Sequence, residues 1–214
     1  MKNNFSYRLY GRSKGRGKIN KLTKQATEIK INKIDPSKYN IVDIGCGYGE
    51  STLDIAKEDD KKNIIACEKY IDGLNKIAEN SIKYSLNNIF IFHGNVHQFL
   101  DEYCLENSLS EIWILFPDPW PKKRHFKRRL IDFRFLNKIK KFLKKNAIIH
   151  IASDSKSYIA QILISIYQVK KDIKWVNQKK EDWVYSNLLM PKTKYFQKAL
   201  KNRLNPFYIK LIKL

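Results

Sequence analysis

The chain has 214 residues, a length typical of one domain with at most a small appendage. Lysine and arginine number 42 against 21 aspartates and glutamates, a formal net charge of +21 that predicts a polyanionic partner, nucleic acid before a membrane surface. Hydrophobic residues make up 43% of the chain, enough for a packed core, which excludes wholesale disorder.

Cysteine usage and the lack of long apolar runs narrow the protein class further. The cysteines are Cys46, Cys67 and Cys104, an odd number without a CxxC pair, so neither a disulfide framework nor a structural zinc site is expected. The N-terminal residues lack the apolar core of a secretory signal, and no stretch approaches the ~20 apolar residues of a membrane span. We therefore expect a cytoplasmic protein without a metal site and without a membrane partner.

The chain begins with a basic, glycine-containing segment over residues 1–20, which predicts a mobile arm before a single domain over residues 21–214. Seven of the eight arginines fall in this arm and in one later segment: Arg8, Arg12, Arg16, Arg124, Arg128, Arg129 and Arg134. Because the planar guanidinium matches phosphates and base edges, these clusters predict contacts with nucleic acid. Chance clustering on a solvated surface is the alternative.

Short apolar runs alternate with stretches of helical spacing from residue 40 onward. The predicted strands cover residues 40–44, 63–67, 89–93, 111–116 and 147–152. The predicted helices cover residues 51–57, 71–86, 128–144 and 156–167. This alternation predicts βαβ units and a mostly parallel sheet. Beyond these elements we expect shorter strands around Trp175, Trp183 and Tyr185, and an edge strand over residues 207–214.

A glycine-rich loop follows the first predicted strand. Gly45, Gly47 and Gly49 stand at i, i+2 and i+4 shortly after Asp43, and glycine allows both a sharp turn and close approach of a ligand to the backbone. The dinucleotide pattern GxGxxG would need a small residue where Glu50 stands, and this carboxylate would repel a pyrophosphate. The loop therefore predicts a ligand without a diphosphate, with a ligand-free strand-to-helix turn as the alternative.

Two polar residues at later strand ends extend this predicted site. Glu68 follows the second predicted strand, where an acidic side chain can accept hydrogen bonds from both ribose hydroxyls of an adenosine. S-adenosylmethionine carries an amino group and a sulfonium but no phosphate, so acidic residues around the loop suit it. The pattern DxGxGxG with a later acidic strand end resembles the cofactor site of class I S-adenosylmethionine-dependent methyltransferases. This resemblance implies a doubly wound, Rossmann-like α/β fold with Asn95 near the adenine.

The most informative segment is Phe116-Pro-Asp-Pro-Trp-Pro121, which follows the fourth predicted strand and leads into the cationic run 122–129. Its three prolines exclude a regular helix and stiffen the turn. This fixes Asp118 at the C-terminal edge of the sheet, where open α/β folds bind ligands. A purely structural turn of prolines and aromatic residues is the alternative.

This segment closely resembles the FPDPWPKxRHxKRR signature of tRNA (guanine-N7-)-methyltransferases. Residues 8–16 resemble the basic N-terminal GRxxGR segment of that family, and Thr193-Lys194-Tyr195 resembles the start of its TKFE motif. The resemblance implies transfer of a methyl group from S-adenosyl-L-methionine to N7 of a guanine in tRNA, usually guanine 46 of the variable loop. It implies tRNA as the partner and no obligate protein partner, and it leaves monomer and homodimer open.

The same resemblance implies roles for individual residues. Asp118 is implied as the catalytic aspartate, which also borders the cofactor. The implied cofactor-binding residues are Asp43, Gly45, Gly47, Gly49, Glu68 and Asn95. The implied substrate contacts are Lys122, Asp154 and Thr193, together with Arg124 and Arg128. Guanine N7 is an acceptor without a proton, so no general base is required. For Asp154, a helix N-cap within Ser153-Asp154-Ser155 is the alternative.

The chain departs from the family pattern at three positions. Asp43 replaces the usual glutamate and Asn95 a frequent aspartate, and both keep an acceptor. Phe196 replaces the glutamate of the TKFE motif and cannot accept a hydrogen bond; either Tyr195 or Asp154 supplies that contact, or the contact is absent. Two other functions stay open, namely methylation of another nucleic-acid atom and RNA binding without catalysis on the same fold.

Overall fold

The computed structural model describes residues 18, 21, 33–184 and 190–214, and its centre is one seven-stranded sheet. The strands are β1 (Asn40–Ile44), β2 (Asn63–Glu68), β3 (Ile89–His93), β4 (Leu109–Leu115), β5 (Leu143–Ser153), β6 (Ile173–Trp175) and β7 (Phe207–Lys213). Their order in the sheet is β3-β2-β1-β4-β5-β7-β6. The first five strands are parallel to one another, and β7 runs antiparallel to both of its neighbours.

Helices connect these strands. They are α1 (Glu50–Glu58), α2 (Ile71–Lys83), α3 (Val96–Tyr103), α4 (Phe133–Ile139), α5 (Lys156–Gln168) and α6 (Lys194–Lys201). Two 3₁₀ helices cover Lys123–Arg128 and Lys180–Trp183. Over the described part of the chain, no helix combines the length and apolarity needed to cross a membrane.

The sheet lies between two apolar clusters, one on each face. All seven residues of β4 are buried, because neighbouring side chains such as Ile112 and Trp113 point to opposite faces and each enters a packed cluster. Helices α3, α4 and α5 contribute to the cluster around Ile112, and α1, α2 and α6 to the cluster around Trp113. Cover on both faces is typical of parallel sheets. The predicted doubly wound α/β class is therefore confirmed.

Most predicted strands match the observed ones, and the edge strand predicted over residues 207–214 is confirmed as a strand, β7, in the antiparallel edge of the sheet. The outermost strand is β6 rather than β7, because β6 pairs with the side of β7 that faces away from β5. The strand predicted around Trp183 is wrong: this residue ends a 3₁₀ helix, where its ring stacks on Trp175 with centroids 5.6 Å apart. Tyr185 and all of the predicted arm except Lys18 lie outside the described residues.

The predicted helix over residues 128–144 is wrong in extent, because α4 covers only its middle. The Asp132 side chain accepts a hydrogen bond of 2.8 Å from the Phe135 amide and thereby starts the helix at residue 133. Just before this cap, the Tyr158 hydroxyl accepts a hydrogen bond of 2.8 Å from the Ile131 amide. At the other end, Leu143 already belongs to β5. A tertiary contact and a local cap thus override the helical spacing.

Candidate active site

The predicted site residues meet at the C-terminal edge of the sheet. From β1 the sheet extends through β2 to β3 on one side and through β4 to β5 on the other, so β1 and β4 flank a topological switch point, where open α/β sheets bind ligands. Asp118 follows β4 and Asp154 follows β5, and these strands are paired up to Leu115 and Ala152. The fold therefore brings carboxylates that are distant in sequence to one edge.

The glycine loop after β1 is left-handed at all three glycines, with φ of 72° at Gly45, 59° at Gly47 and 81° at Gly49. A Cβ atom added at Gly45 or Gly47 would meet nothing within 4 Å, so both residues border open space. A Cβ at Gly49 would lie 2.3 Å from Cγ1 of Ile77. The first two glycines thus leave room for a ligand, whereas the third allows the loop to pack on α2.

Gly73 is a supporting residue that sequence reasoning missed. A Cβ atom there would lie 2.1 Å from the carbonyl oxygen of Gly47, so the backbone of α2 packs directly against the glycine loop. Glycine inside a helix costs roughly 0.5–1 kcal/mol relative to alanine, and an isolated helical glycine was the signal for such a close approach.

Asp43 is 1% exposed and connects the end of β1 to the first turn of α1. Its Oδ2 accepts hydrogen bonds from Ser51 Oγ at 2.6 Å and Thr52 Oγ1 at 2.7 Å. Burial raises the pKa of Asp43 to about 6; the two hydroxyls oppose this shift, and the nearby carboxylates of Glu68 and Glu50 add to it. Asp43 therefore stabilises the glycine loop from its buried side, by linking the strand before the loop to the helix after it.

Glu68 connects the glycine loop to the turn after β2. Its Oε2 accepts a hydrogen bond from the Gly47 amide at 3.1 Å, and its Oε1 accepts from the amides of Lys69 at 2.6 Å and Tyr70 at 3.0 Å. Because a carboxylate offers about four lone-pair sites, one site stays available for a ligand hydroxyl. Asn95 caps α3 by accepting a hydrogen bond of 2.8 Å from the His97 amide.

A small cavity lies between the ends of β1 and β4, beside the glycine loop. Its lining residues come from the loop, from the start of α1, from β4 and from the C-terminal segment: Asp43, Gly45, Cys46, Glu50, Ser51, Leu115, Thr193 and Tyr195. The Thr193 side chain also accepts a hydrogen bond of 3.2 Å from the Phe196 amide and so caps α6. The C-terminal motif thus reaches the predicted cofactor site.

Phe196, which stands where the family motif has glutamate, does not face this cavity. Its side chain is 5% exposed and belongs to the apolar cluster that contains Trp113 and Leu115. The neighbouring Tyr195 does line the cavity. Position 196 therefore anchors α6 to the sheet, and of the two predicted substitutes for the glutamate, Tyr195 is the one that borders the cavity.

The loop that carries Asp118 is conformationally strained. Phe116 and Trp120 have φ of 54° and 42°, a region that bulky residues rarely adopt and that costs of order 1–3 kcal/mol per residue. Between them Asp118 is exposed, and within the described ranges no hydrogen bond or ion pair engages its carboxylate. Such strain persists only where surrounding contacts impose it, and it clusters at functional sites.

Arg129 supplies one of these contacts. It is 4% exposed, and its guanidinium donates to the Pro119 carbonyl at 2.8 Å, to the Ser157 hydroxyl at 2.8 Å and to Gln161 Oε1 at 3.0 Å. The group also lies 3.6 Å from the ring centroid of Phe126. The prediction that Arg129 contacts nucleic acid is therefore wrong, because all its donor groups are turned inward.

The other cations of this segment remain at the surface. Lys122 and Arg124 are exposed at the start of the 3₁₀ helix that follows the Asp118 loop. The Arg128 guanidinium lies 5.0 Å from the ring centroid of Trp120. Desolvation, and then the neighbouring Arg128 and Arg124, lower the pKa of His125. The exposed lysine and arginine side chains give a positive surface on the segment that follows Asp118.

Asp154 is half-buried at the end of β5. The helix α5 begins within the predicted tripeptide, because its N-cap residue is Ser155, but no side chain caps it; Asp154 itself is therefore not the capping residue. In residues 33–184 and 190–214, no group of three or more histidines, cysteines, aspartates and glutamates is arranged to hold a metal ion.

Known methyltransferases are similar to this chain over most of its length. A family model described as "Putative methyltransferase" matches residues 37–208. A tRNA (guanine-N(7)-)-methyltransferase from Buchnera aphidicola subsp. Schizaphis graminum is 33% identical over 174 residues, which cover 81% of this chain and 72% of that protein.

Solved structures share the fold at low sequence identity. A SAM-dependent methyltransferase from Aquifex aeolicus aligns with a TM-score of 0.55 and 13% identity over 92% of this chain and 91% of its own. A Streptococcus mutans protein solved in complex with SAH aligns with a TM-score of 0.52 and 13% identity over 92% of this chain and 99% of its own.

Proposed function

The chain belongs to the family of tRNA (guanine-N7-)-methyltransferases, and from this premise we propose that it methylates N7 of a guanine in tRNA with S-adenosyl-L-methionine as the methyl donor. The observation that carries the proposal is the position of Asp118. Its carboxylate, which no described residue engages, lies on a strained loop that follows β4 at the switch point of the sheet and leads into a cationic 3₁₀ helix. We propose guanine 46 of the variable loop as the target, following the family resemblance.

The described residues fit this cofactor, which supplies a methyl group activated by its sulfonium. Open space borders Gly45 and Gly47, so a ligand can approach the backbone there. Glu68 keeps one lone-pair site for a ribose hydroxyl while its other sites hold the surrounding amides. Asn95 follows β3 as the N-cap residue of α3, and we assign it to the adenine on the strength of the resemblance. Acidic residues around the loop suit a cationic ligand.

Methyl transfer to N7 requires the protein to position the guanine and to stabilise charge, but it does not require a proton transfer. Guanine N7 attacks through its own lone pair and has no proton to lose. The Asp118 carboxylate can accept from the N1–H and N2–H₂ groups of the guanine edge, which would orient the base. The ring gains positive charge as N7 is methylated, and a carboxylate held nearby stabilises that charge more in the transition state than in the ground state.

The cationic surface beside Asp118 supports a tRNA substrate. Lys122 and Arg124 are exposed, and Arg128 lies against the Trp120 ring, so phosphate binding would place the nucleic acid at the mouth of the site. Asp154 and Thr193 border the same edge of the sheet, and we assign them to the substrate on the strength of the family resemblance.

Methyl transfer to defined tRNA transcripts tests the proposal. The chain is incubated with S-adenosyl-L-methionine carrying a labelled methyl group, and the tRNA is digested and analysed for 7-methylguanosine by mass spectrometry. The matched control is the same tRNA with 7-deazaguanosine at position 46, which keeps the N1 and N2 groups but lacks N7. We expect 7-methylguanosine at position 46 of the natural transcript and no transfer to the control.

Other outcomes separate the alternative functions. Label on a different atom would identify a methyltransferase with another target. Transfer to N7 of another guanine would keep the reaction and overturn only the assignment to position 46. Tight tRNA binding without any binding of S-adenosylmethionine, measured by calorimetry, would identify an RNA-binding protein without catalysis.

A further inference from the structure

Three carboxylates converge on the glycine loop, and two of them are already engaged by the protein. Asp43 accepts hydrogen bonds from two hydroxyls, and Glu68 accepts from three backbone amides. Glu50, the first residue of α1, is the third. It is half-buried, lines the cavity beside the loop, and receives no hydrogen bond from any described residue.

The cavity lies on the side of the loop opposite Glu68. Glu68 ends β2, whereas the cavity is lined by Leu115 at the end of β4, and β1 runs between these two strands. A cofactor whose ribose binds at Glu68 and whose chain crosses the open space at Gly45 and Gly47 would therefore direct its amino-acid end into the cavity. That end carries an ammonium group and a carboxylate.

We propose that the Glu50 carboxylate binds the ammonium group of the amino-acid part of S-adenosylmethionine, an inference that rests on the proposed function. An ammonium group needs a charged acceptor near the loop, and Glu50 is the carboxylate at the cavity whose oxygens the described part of the protein leaves available. Thr193 and Tyr195 line the same cavity.

A purely structural explanation of Glu50 makes a different prediction. An acidic residue in the first turn of a helix stabilises that helix through its dipole, and Glu50 occupies such a position. Loss of that effect would weaken binding of every ligand of the loop to the same degree. A contact with the ammonium group would weaken only those ligands that carry the group.

Binding measurements with two ligands and three proteins separate these explanations. The ligands are S-adenosylhomocysteine and its deaminated analogue, which keeps the carboxylate and lacks only the amino group. The proteins are the full chain, Glu50→Gln, and the control Asp54→Asn, which makes the same change of charge at an exposed position of the same helix. Calorimetry gives a dissociation constant for each pair, and thermal melting checks the folding of each variant.

We expect the full chain to bind S-adenosylhomocysteine roughly tenfold or more tightly than the deaminated analogue, as for loss of a charge-assisted hydrogen bond. This ratio should fall to within about threefold in Glu50→Gln, because the lost contact no longer distinguishes the ligands, and should persist in Asp54→Asn. An unchanged ratio in Glu50→Gln would overturn the inference even if both affinities fell. Failure of the full chain to bind S-adenosylhomocysteine would instead overturn the proposed function and the inference together.

Discussion

The Nε group of Arg129 donates a hydrogen bond of 2.8 Å to the carbonyl oxygen of Pro119, and the same guanidinium contacts Ser157 and Gln161 of α5. One buried cation thus connects the loop of Asp118 to the helix that follows the neighbouring strand. The backbone of that loop is strained at Phe116 and Trp120, and such strain persists only where surrounding contacts impose it. The hydrogen bond from Arg129 is one of these contacts, so it helps to keep the Asp118 carboxylate in position.

Replacing Arg129 with lysine should lower both stability and turnover. Lysine keeps the charge but lacks the planar fork that reaches several acceptors at once, so the unfolding free energy should fall by about 2–3 kcal/mol. Urea unfolding measures this loss, and single-turnover methyl transfer should slow. The matched control Arg124→Lys, at an exposed position, should weaken tRNA binding without this loss of stability. Equal stability of Arg129→Lys and the unchanged protein would contradict the structural role.

Asp118→Ala should lower the rate of methyl transfer at saturating substrates by on the order of a hundredfold or more, as expected for loss of one preorganised electrostatic contact. Asp118→Asn should be nearly as slow, because the amide keeps one acceptor oxygen but loses the charge. Cofactor affinity and overall tRNA affinity should change little, since other residues supply those contacts. An alanine variant that kept more than about a third of the original rate would make Asp118 a turn residue only.

Glu68→Ala should weaken binding of S-adenosylmethionine by roughly thirtyfold, about 2 kcal/mol, because a charged acceptor for the ribose is lost. The same change frees the amides of Gly47, Lys69 and Tyr70, so the loop itself should loosen. Calorimetry measures the affinity, and tRNA binding by the same variant provides the control. A change in cofactor affinity of less than twofold would exclude Glu68 as the ribose ligand.

Gly73→Ala tests whether the close packing of α2 shapes the cofactor site. The added methyl group would meet the Gly47 carbonyl at 2.1 Å, and backbone cannot yield there as a flexible side chain would. We expect cofactor affinity to fall by about tenfold or more, although alanine has the higher helix propensity. Glu79→Ala, at an exposed position of the same helix, should leave cofactor affinity unchanged. Unaltered binding by Gly73→Ala would show that the loop adapts.

The raised pKa of Asp43 predicts a specific dependence of the unfolding free energy on pH. Burial raises its pKa in the folded protein to about 6, from an ordinary value of 3.8, so between these values the folded state binds a proton that the unfolded state has released. Stability contributed by this proton is complete below about pH 4 and is lost as pH rises through about 6, by roughly 3 kcal/mol.

Asp43→Asn has no such proton, so its unfolding free energy relative to the unchanged protein should increase between pH 4 and 6.5 and then level off. Urea unfolding at a series of pH values measures this difference, in which the contributions of all other titrating groups cancel. Asp54→Asn serves as the control for an exposed carboxylate in the same region. A difference that stays constant across this range would contradict the raised pKa.

Local sequence patterns determined most of the architecture. Apolar runs such as residues 40–44 and 89–93 gave strand bounds identical to those of β1 and β3, because short apolar runs alternating with segments of helical spacing are typical of strands in a covered parallel sheet. The sequence also predicted the glycine loop and the Pro-Asp-Pro-Trp turn, because glycine allows backbone conformations that other residues avoid and proline fixes φ, whatever the tertiary context. Asp118 and the glycine loop both follow strands of a parallel sheet, so their common position at its C-terminal edge follows from the rules for such sheets.

Only the tertiary structure decided which of several similar residues face solvent and which face the protein. Arg128 and Arg129 are neighbours in one cationic run, yet Arg129 is buried against α5 while Arg128 is half-buried over the Trp120 ring. In the same way, the packing of α6 against the sheet places Phe196 in the core, whereas Tyr195 lines the cavity. Residue type sets what a side chain can contact, but the partners arrive from elements far away in sequence, and their burial and hydrogen bonds determine which contact forms.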